Sequence, residues 1–433
     1  MADPTVPAVI EIDHVEVNRG ESDYVHDANL DSPAVGPAAE SYTFSIEGWI
    51  LSRRLRVERI EALHEERPVA VTPLDRERKD IGTAFPEVEG AGRSGWRLTV
   101  NALRLPAEFE LVLRAKLEDD TRLPLARLRG SRRRLPSSAA EIQPLMVNTI
   151  GRSGSTLLVT LLSSHPEIVA FSPFIKDARV STYWTNVMQD LSEPSAYLAP
   201  FDPPDLDAPR WWLDGGQELG EESVEAWLGS EAVDSLVAMS RAQVEAFYAH
   251  VAGEARPRFF VEKFLPHQVV PDLLAEMYAG SREVVLVRDF RDILCSVIAF
   301  NRKRGWDAFG RSEGGDDAEY VRTTLRESGE ILSDRLKRAV TRPHLVRYED
   351  LVLDPEPALT SLFAELGLAS DPELVAETVA RAVRDTSAMD HHRTTADPAA
   401  SIGRWRQDLP EEIAAVCNEE LGPLLRDFGY EGS

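Results

Sequence analysis

Fourteen residues, Leu145 to Leu158, constrain this chain more than any others: Leu-Met-Val-Asn-Thr-Ile-Gly-Arg-Ser-Gly-Ser-Thr-Leu-Leu. The first six are apolar or β-branched apart from Asn148, as a buried strand requires. Gly151-Arg152-Ser153-Gly154-Ser155-Thr156 follows, and Leu157 to Ser163 has the leucines and small residues of a buried helix. The pattern predicts strand, tight turn and helix start. Two glycines let the backbone curl with its N–H groups inward, and the helix dipole adds partial positive charge, so the turn suits an oxyanion.

An ATP-binding loop of the Walker type carries Gly-Lys-Ser/Thr at this point. Here the residues are Gly154-Ser155-Thr156, and the cation stands earlier, as Arg152. Only six of the basic residues are lysines, at 79, 116, 176, 263, 303 and 337, so a lysine inside a motif stands out. The formal charge of −25 argues against nucleic-acid or membrane-surface partners. The start, Met1-Ala2-Asp3-Pro4, shows neither a basic nor an apolar leader region, no apolar run is long enough to span a bilayer, and a cytoplasmic setting is expected. Cys295 and Cys417, far apart, suggest neither a disulfide framework nor a zinc site.

At 433 residues the chain is long enough for two or three domains. Residues 1–40 read as an N-terminal arm with one possible strand, Ala8 to Val17. Short alternating segments fill 41–130 (Tyr42 to Leu51, Arg56 to Leu63, Pro68 to Val71, Trp96 to Asn101, Glu108 to Leu117 and Arg122 to Leu128), predicting a small all-β, sandwich-like domain. Trp49 and Trp96 lie within apolar strand patterns and are expected in its core, with carbohydrate stacking as the alternative. Residues 131–143 read as a linker, with Arg132-Arg133-Arg134 expected as a solvated face or, alternatively, as a dock for the acidic second domain. From 144 to 433 strands and helices alternate, which predicts an α/β fold with a parallel sheet flanked by helices and ligands at the strands' carboxyl ends. Residues 172–256 read as an insertion over that sheet and a natural seat for acceptor specificity.

The strand Glu283 to Val287 ends in Arg288-Asp289-Phe290-Arg291-Asp292, and the next helix carries Ser296. Arg288 and Ser296 are placed to converge on one anion beside the first loop, which suits a nucleotide with two separated phosphate groups. From about 144 to 430 the chain resembles the sulfotransferases that use 3′-phosphoadenosine-5′-phosphosulfate (PAPS), whose sheet is P-loop-like. Arg152-Ser153-Gly154-Ser155-Thr156, continuing into Leu157, resembles the family's 5′-phosphosulfate loop. Arg288 with Ser296 resembles its 3′-phosphate motif, and Tyr348-Glu349-Asp350-Leu351 and Thr386-Ser387 resemble segments near the adenine. Ser401 and Gly403-Arg404-Trp405 fall in what resembles the C-terminal loop that closes over the donor. The β-domain is weakly similar, through Gly48-Trp49, Phe85-Pro86 and Gly95-Trp96, to modules preceding some bacterial glycosyltransferases and sulfotransferases.

The resemblance implies in-line transfer of a sulfuryl group from PAPS to a hydroxyl or amine of a small molecule, glycan or glycolipid, without a metal. It places Arg152 at the family's catalytic cation position and Lys263 as a second cation near the sulfuryl group. The base departs from the family: cytosolic relatives have His where this chain has Phe264, and tyrosylprotein-type relatives have Glu where it has Ser172-Pro173-Phe174. His267, Glu262 and Asp177 stay open as candidates. The Arg-Lys-Gly of cytosolic relatives is replaced by Pro398-Ala399-Ala400, with Ser401, Arg404 or Arg393 as substitutes. His391-His392-Arg393 lacks the carboxylate spacing of a metal site. Two other readings remain: a P-loop kinase, which needs ATP and Mg²⁺, and a non-catalytic nucleotide- or glycan-binding protein. Tyr183, Trp184, Trp211 and Trp212 are candidates to line an acceptor cleft, or core residues.

Overall fold

The computed structural model describes residues 8–18, 24–171, 177–192, 218–219, 222–223, 232–305, 316–338, 341–384, 394–395 and 397–430. The chain divides into two compact units, Met1–Pro136 with Asn186–Ser240, and Ser137–Thr185 with Arg241–Ser433.

The first unit is mostly β-sheet. Its strands are β1 (Ile10–Val17), β2 (Val25–Ser32), β3 (Gly36–Ala39), β4 (Thr43–Ser52), β5 (Val57–His64), β6 (Arg67–Thr72), β7 (Gly95–Asn101), β8 (Glu108–Leu117) and β9 (Arg122–Arg132), with α1 (Lys79–Ala84) before β7. One antiparallel sheet has the order β3-β1-β9-β8-β5-β6 and the other β2-β4-β7. Alternate residues of β8 are buried, the period-two pattern of a strand with one face on a core, and Phe44 of β4 stacks on Phe109 of β8 at 5.9 Å. Trp49 and Trp96 are 8% and 2% exposed, so both are core residues and neither offers a face to a sugar.

Three limits read from sequence fall elsewhere in the structure. Residues 1–40 supply β1, β2 and β3, with β1 inside the larger sheet, because its alternating Ile10 and Ile12 bury fully. β9 continues to Arg132, which is buried and donates to the Leu105 carbonyl, while Arg133 stacks on Tyr42 at 5.6 Å; this end of the supposed linker is not a solvated face. Residues 186–240 group with the β unit. Within it, buried Asn101 donates to the Gln189 carbonyl at 3.1 Å and to Ser192 Oγ at 3.0 Å, and Gln189 donates to the Leu103 carbonyl at 2.8 Å.

The second unit begins with β10 (Gln143–Thr149), α2 (Ser155–Ser163), β11 (Ile168–Ala170) and the start of α3 (Val180–Leu191). The chain then passes the two-residue strands β12 (Glu218–Leu219) and β13 (Glu222–Ser223) and helix α4 (Val233–Ala252). Next come β14 (Phe259–Phe264), α5 (Val270–Met277), β15 (Arg282–Val287) and α6 (Phe290–Arg304). A split helix, α7 (Asp317–Tyr320) and α8 (Arg326–Arg338), leads to β16 (His344–Arg347), α9 (Tyr348–Leu353), α10 (Pro355–Glu365), α11 (Pro372–Arg384), α12 (Trp405–Asp408) and α13 (Glu411–Asp427).

The strands form a parallel sheet ordered β11-β14-β10-β15-β16, and every residue of β10 is buried, as a sheet covered on both faces demands. On one face Leu145, Val147, Val261 and Leu286 pack against Leu158 and Leu162 of α2 and Phe363 of α10. On the other Ile150, Val285 and Val287 meet Phe290 and Leu294 of α6 and Leu421 and Leu425 of α13. The alternation of β14 sends Val261 and Lys263 toward the α2 face and Phe260 and Glu262 to the opposite one, where Phe260 stacks on Tyr248 of α4 at 4.1 Å. The unit is α/β with helices on both faces. Among the described residues no helix is long and apolar enough to cross a membrane.

Candidate active site

β10 ends in the loop that starts α2, at the carboxyl edge of the sheet. Arg152 and Gly154 both take left-handed backbone angles, φ 70° and 95°. The second must be glycine, because a Cβ there would run into the ring of Tyr348. Ser153 is wholly buried; its hydroxyl bonds Thr149 Oγ1 at 2.5 Å, and Thr149 donates to the Leu286 carbonyl at 2.8 Å. Ser153 therefore wires the loop to β10 and β15 rather than presenting its side chain to a ligand.

An open cleft lies against this loop, lined by Arg152, Gly154, Ser155, Thr156 and Leu157. Its other walls are Arg288 at the end of β15, Ser296 of α6, Tyr348 at the start of α9, and Thr394, Thr395, Pro398 and Ser401 from the segment before α12. The two anion stations expected from sequence thus open on one cavity.

Arg152 reaches along α6: its Nε donates to Ser296 Oγ at 3.2 Å and its guanidinium lies 4.4 Å over the ring of Phe300. Burial, then the like charges of Arg288 and Arg304, pull its pKa down to about 10, so it is still a cation at neutral pH. Arg288 donates to the carbonyls of Arg152 at 3.3 Å and Ser401 at 2.6 Å and stacks over Tyr348 at 4.5 Å. Its Nε is buried with no hydrogen-bond partner among the described residues, although the residue is only 4% exposed. Arg288 as a residue also lines the cleft, where a guanidinium suits an anion.

Lys263 sits beside the loop from the neighbouring strand, its Nζ donating to Thr156 Oγ1 at 3.0 Å. Burial lowers its pKa to about 8, against the opposing pull of Asp177. Glu262, one residue earlier, is on the other face of β14. It is 1% exposed and accepts from Val180 N at 2.9 Å, Ser181 N at 3.1 Å and the Ser181 hydroxyl, closing off the first turn of α3; burial raises its carboxyl to about 7. His267 Nδ1 accepts from Val269 N and Val270 N, both at 3.2 Å, at the start of α5. Asp177, just ahead of α3, is chelated by Arg179 at 2.9 and 3.1 Å and is partly exposed.

Gly403 and Arg404 do not line the cleft. Gly403 N donates to Asp292 at 2.6 Å, and Arg404 pairs with Asp408 at 2.7 Å and reaches Thr394 Oγ1 at 3.4 Å. Tyr348 OH bonds Ser401 Oγ at 3.1 Å. Thr386-Ser387, Ser172-Pro173-Phe174, His391-His392-Arg393, Trp211 and Trp212 lie outside the described residues. Among the described residues no group of three or more His, Cys, Asp or Glu is gathered as metal ligands would be. Sequence reading passes over Asp292, although an acid four residues before Ser296 on a helix shares its face. Thr394 and Thr395 carry no pattern that would mark them.

A parallel α/β sheet thus carries a lysine-free glycine loop, and Arg288 and Ser296 line the same cleft. Residues 144–372, more than half the chain, match the Sulfotransferase family, and the chain belongs to that family. It is 26% identical over 170 residues to carbohydrate sulfotransferase 3 of Tetronarce californica, covering 37% of this chain and 38% of that one. To carbohydrate sulfotransferase 1 of Danio rerio it is 30% identical over 169 residues, covering 37% and 40%. It therefore spans about two fifths of the length of these curated relatives. Among solved structures, the sulfotransferase domain from the Synechococcus PCC 7002 olefin synthase aligns over 68% of this chain and 98% of its own, at 22% identity and a TM-score of 0.41. That from the curacin biosynthetic pathway aligns over 70% and 100%, at 18% and 0.39.

Proposed function

We propose that the protein transfers the sulfuryl group of PAPS to a hydroxyl or amine of a small-molecule, glycan or glycolipid acceptor. The observation that carries this reading is the single cleft shared by the α2 loop and the Arg288–Ser296 station, which suits one nucleotide with two separated anionic groups. Arg288 and Ser296, which both line this cleft, support a phosphate held between them. When bound, the donor supplies an activated sulfuryl group whose leaving phosphate gains negative charge.

The chain's residues respond to that charge. The N–H groups opening α2 and the cations Arg152 and Lys263 are fixed before reaction, so they favour the transition state more than the ground state. Thr156 holds the Lys263 ammonium against the loop. The packing of Tyr348 on Gly154 and under Arg288 supports a role for its ring beside the adenine. We assign the base to Asp177, which is partly exposed and close enough to Lys263 to raise its pKa. The other two candidates, Glu262 and His267, serve helix starts. The names of the curated relatives favour a glycan acceptor. The β unit is read as an accessory module, and the two buried free thiols, Cys295 and Cys417, support a cytoplasmic setting.

Calorimetry with 3′-phosphoadenosine 5′-phosphate and with ATP–Mg²⁺ tests the donor. Binding of the bisphosphate with weak or no binding of ATP is expected; tight ATP binding without affinity for the bisphosphate would replace this reading with a kinase. Turnover of labelled PAPS against a panel of sugar and lipid alcohols tests the acceptor class.

A further inference from the structure

The first turn of α6 does more than carry Ser296 toward the cleft. Asp292, 0% exposed, turns its carboxylate to the segment 398–405: Oδ2 accepts from Gly403 N at 2.6 Å and Oδ1 from Trp405 N at 3.0 Å. The guanidinium of its neighbour Arg291 lies 3.8 Å from the centre of the Trp405 ring. Arg288, just before the helix, holds the Ser401 carbonyl at 2.6 Å. The residues that form the Arg288–Ser296 station and those that grip this segment are therefore one continuous piece of chain. Pro398 and Ser401 of the same segment wall the cleft.

We propose that Asp292 is a positioning residue that makes closure of segment 398–405 and occupancy of the Arg288–Ser296 station a single coupled event. This rests on the donor reading above. Each of the two N–H groups needs an acceptor; an amide in place of the carboxylate offers one acceptor and sets its NH₂ against the other N–H. Without the latch the segment samples open forms, and a ligand that needs the closed wall binds more weakly in proportion to the closed fraction lost. A ligand with no group at the Arg288–Ser296 station has little differential contact with the closed form and feels the loss less. The charged groups facing Asp292 are Arg288 and Asp289 from the strand end, with Cys295 a turn along and Arg404 and Asp408 nearby.

The test uses the full chain and two probes, 3′-phosphoadenosine 5′-phosphate and adenosine 5′-phosphosulfate, which lacks the 3′-phosphate. In Asp292→Asn, affinity for the first should fall ~10-fold or more and for the second less than ~3-fold, with Asp292→Glu restoring part of the difference. Hydrogen exchange of the wild-type peptide 399–408 needs no mutant: the bisphosphate should slow exchange at Gly403 and Trp405, and the phosphosulfate should not. Equal losses for both probes, or exchange insensitive to the bisphosphate, would overturn the coupling and leave the donor reading intact. A wild-type chain that does not bind the bisphosphate would overturn both.

Discussion

Replacing Lys263 by Met should make the folded chain more stable while removing its activity. The residue is 6% exposed, and burial lowers its pKa from 10.5 to about 8. That drop corresponds to roughly 3 kcal/mol spent on keeping the charge at neutral pH. Met fills a similar volume without the charge and gives up the bond to Thr156, whose half-buried hydroxyl can turn to water, a loss of about 1 kcal/mol. The net gain of about 2 kcal/mol raises Tm by roughly 5 °C. The sign with pH is also fixed. Because the folded pKa is depressed, the unfolded chain holds the proton more tightly between pH 8 and 10.5; the cost is complete below about 8 and disappears as pH rises through that window. Scanning calorimetry of both proteins from pH 7 to 10.5 should show a gap that closes on the alkaline side, while the Lys263→Met variant loses ~10²–10³ in turnover. A variant that melts at or below wild type at pH 7, or a gap unchanged with pH, refutes the argument that this site holds its charge at the fold's expense.

Arg152→Ala should lower kcat by at least ~10² in steady-state sulfuryl transfer, as removal of a preorganised charge does. Asp177→Asn should lower kcat by ~10²–10⁴ with an unchanged melting temperature, whereas His267→Ala should cost about 1 kcal/mol of stability through the lost α5 cap and keep turnover within ~3-fold; the reverse pattern moves the base to His267. Glu262→Gln should flatten the acid side of the stability curve. Burial raises the wild-type carboxyl from 4.5 to about 7, so the folded chain keeps a proton that the unfolded chain releases, and stability falls as pH rises through that window; urea melts at pH 5 and 7.5 should show this slope in wild type and not in the variant.

Much of the second unit is legible in its residues because periodicity and turn chemistry agree there. β15, expected at Glu283 to Val287, runs Arg282–Val287. The spacing of Arg288 and Ser296 places both on one cleft, since strand end and helix face are local geometry. What sequence hides depends on which partner a polar side chain meets. Glu262 and His267 have the chemistry of bases, yet each is consumed by backbone N–H groups brought from segments far off or at a helix start. Asp292 reads as part of a charged cluster until the chain returns 111 residues later to bring Gly403 to it. Of the three strands of residues 10–39, β1 falls within the strand expected at Ala8 to Val17, whereas β2 and β3 are veiled, and the place of β1 in the sheet comes only from its pairing with β9 and β3.

The pairing with β9, Ile10 with Arg132 through Val17 with Ala126, has a consequence for biosynthesis. The earliest strand among the described residues lies between β3 and β9, so one of its edges has nothing to bond until the last strand of that sheet has been made. During translation β1 must wait as a half-paired ribbon with Ile10 and Ile12 uncovered, a template for wrong partners, while β4 to β8 emerge. Closure of the β unit is thus a late, non-local step, and a nascent chain halted before residue 122 leaves β1 without its central partner.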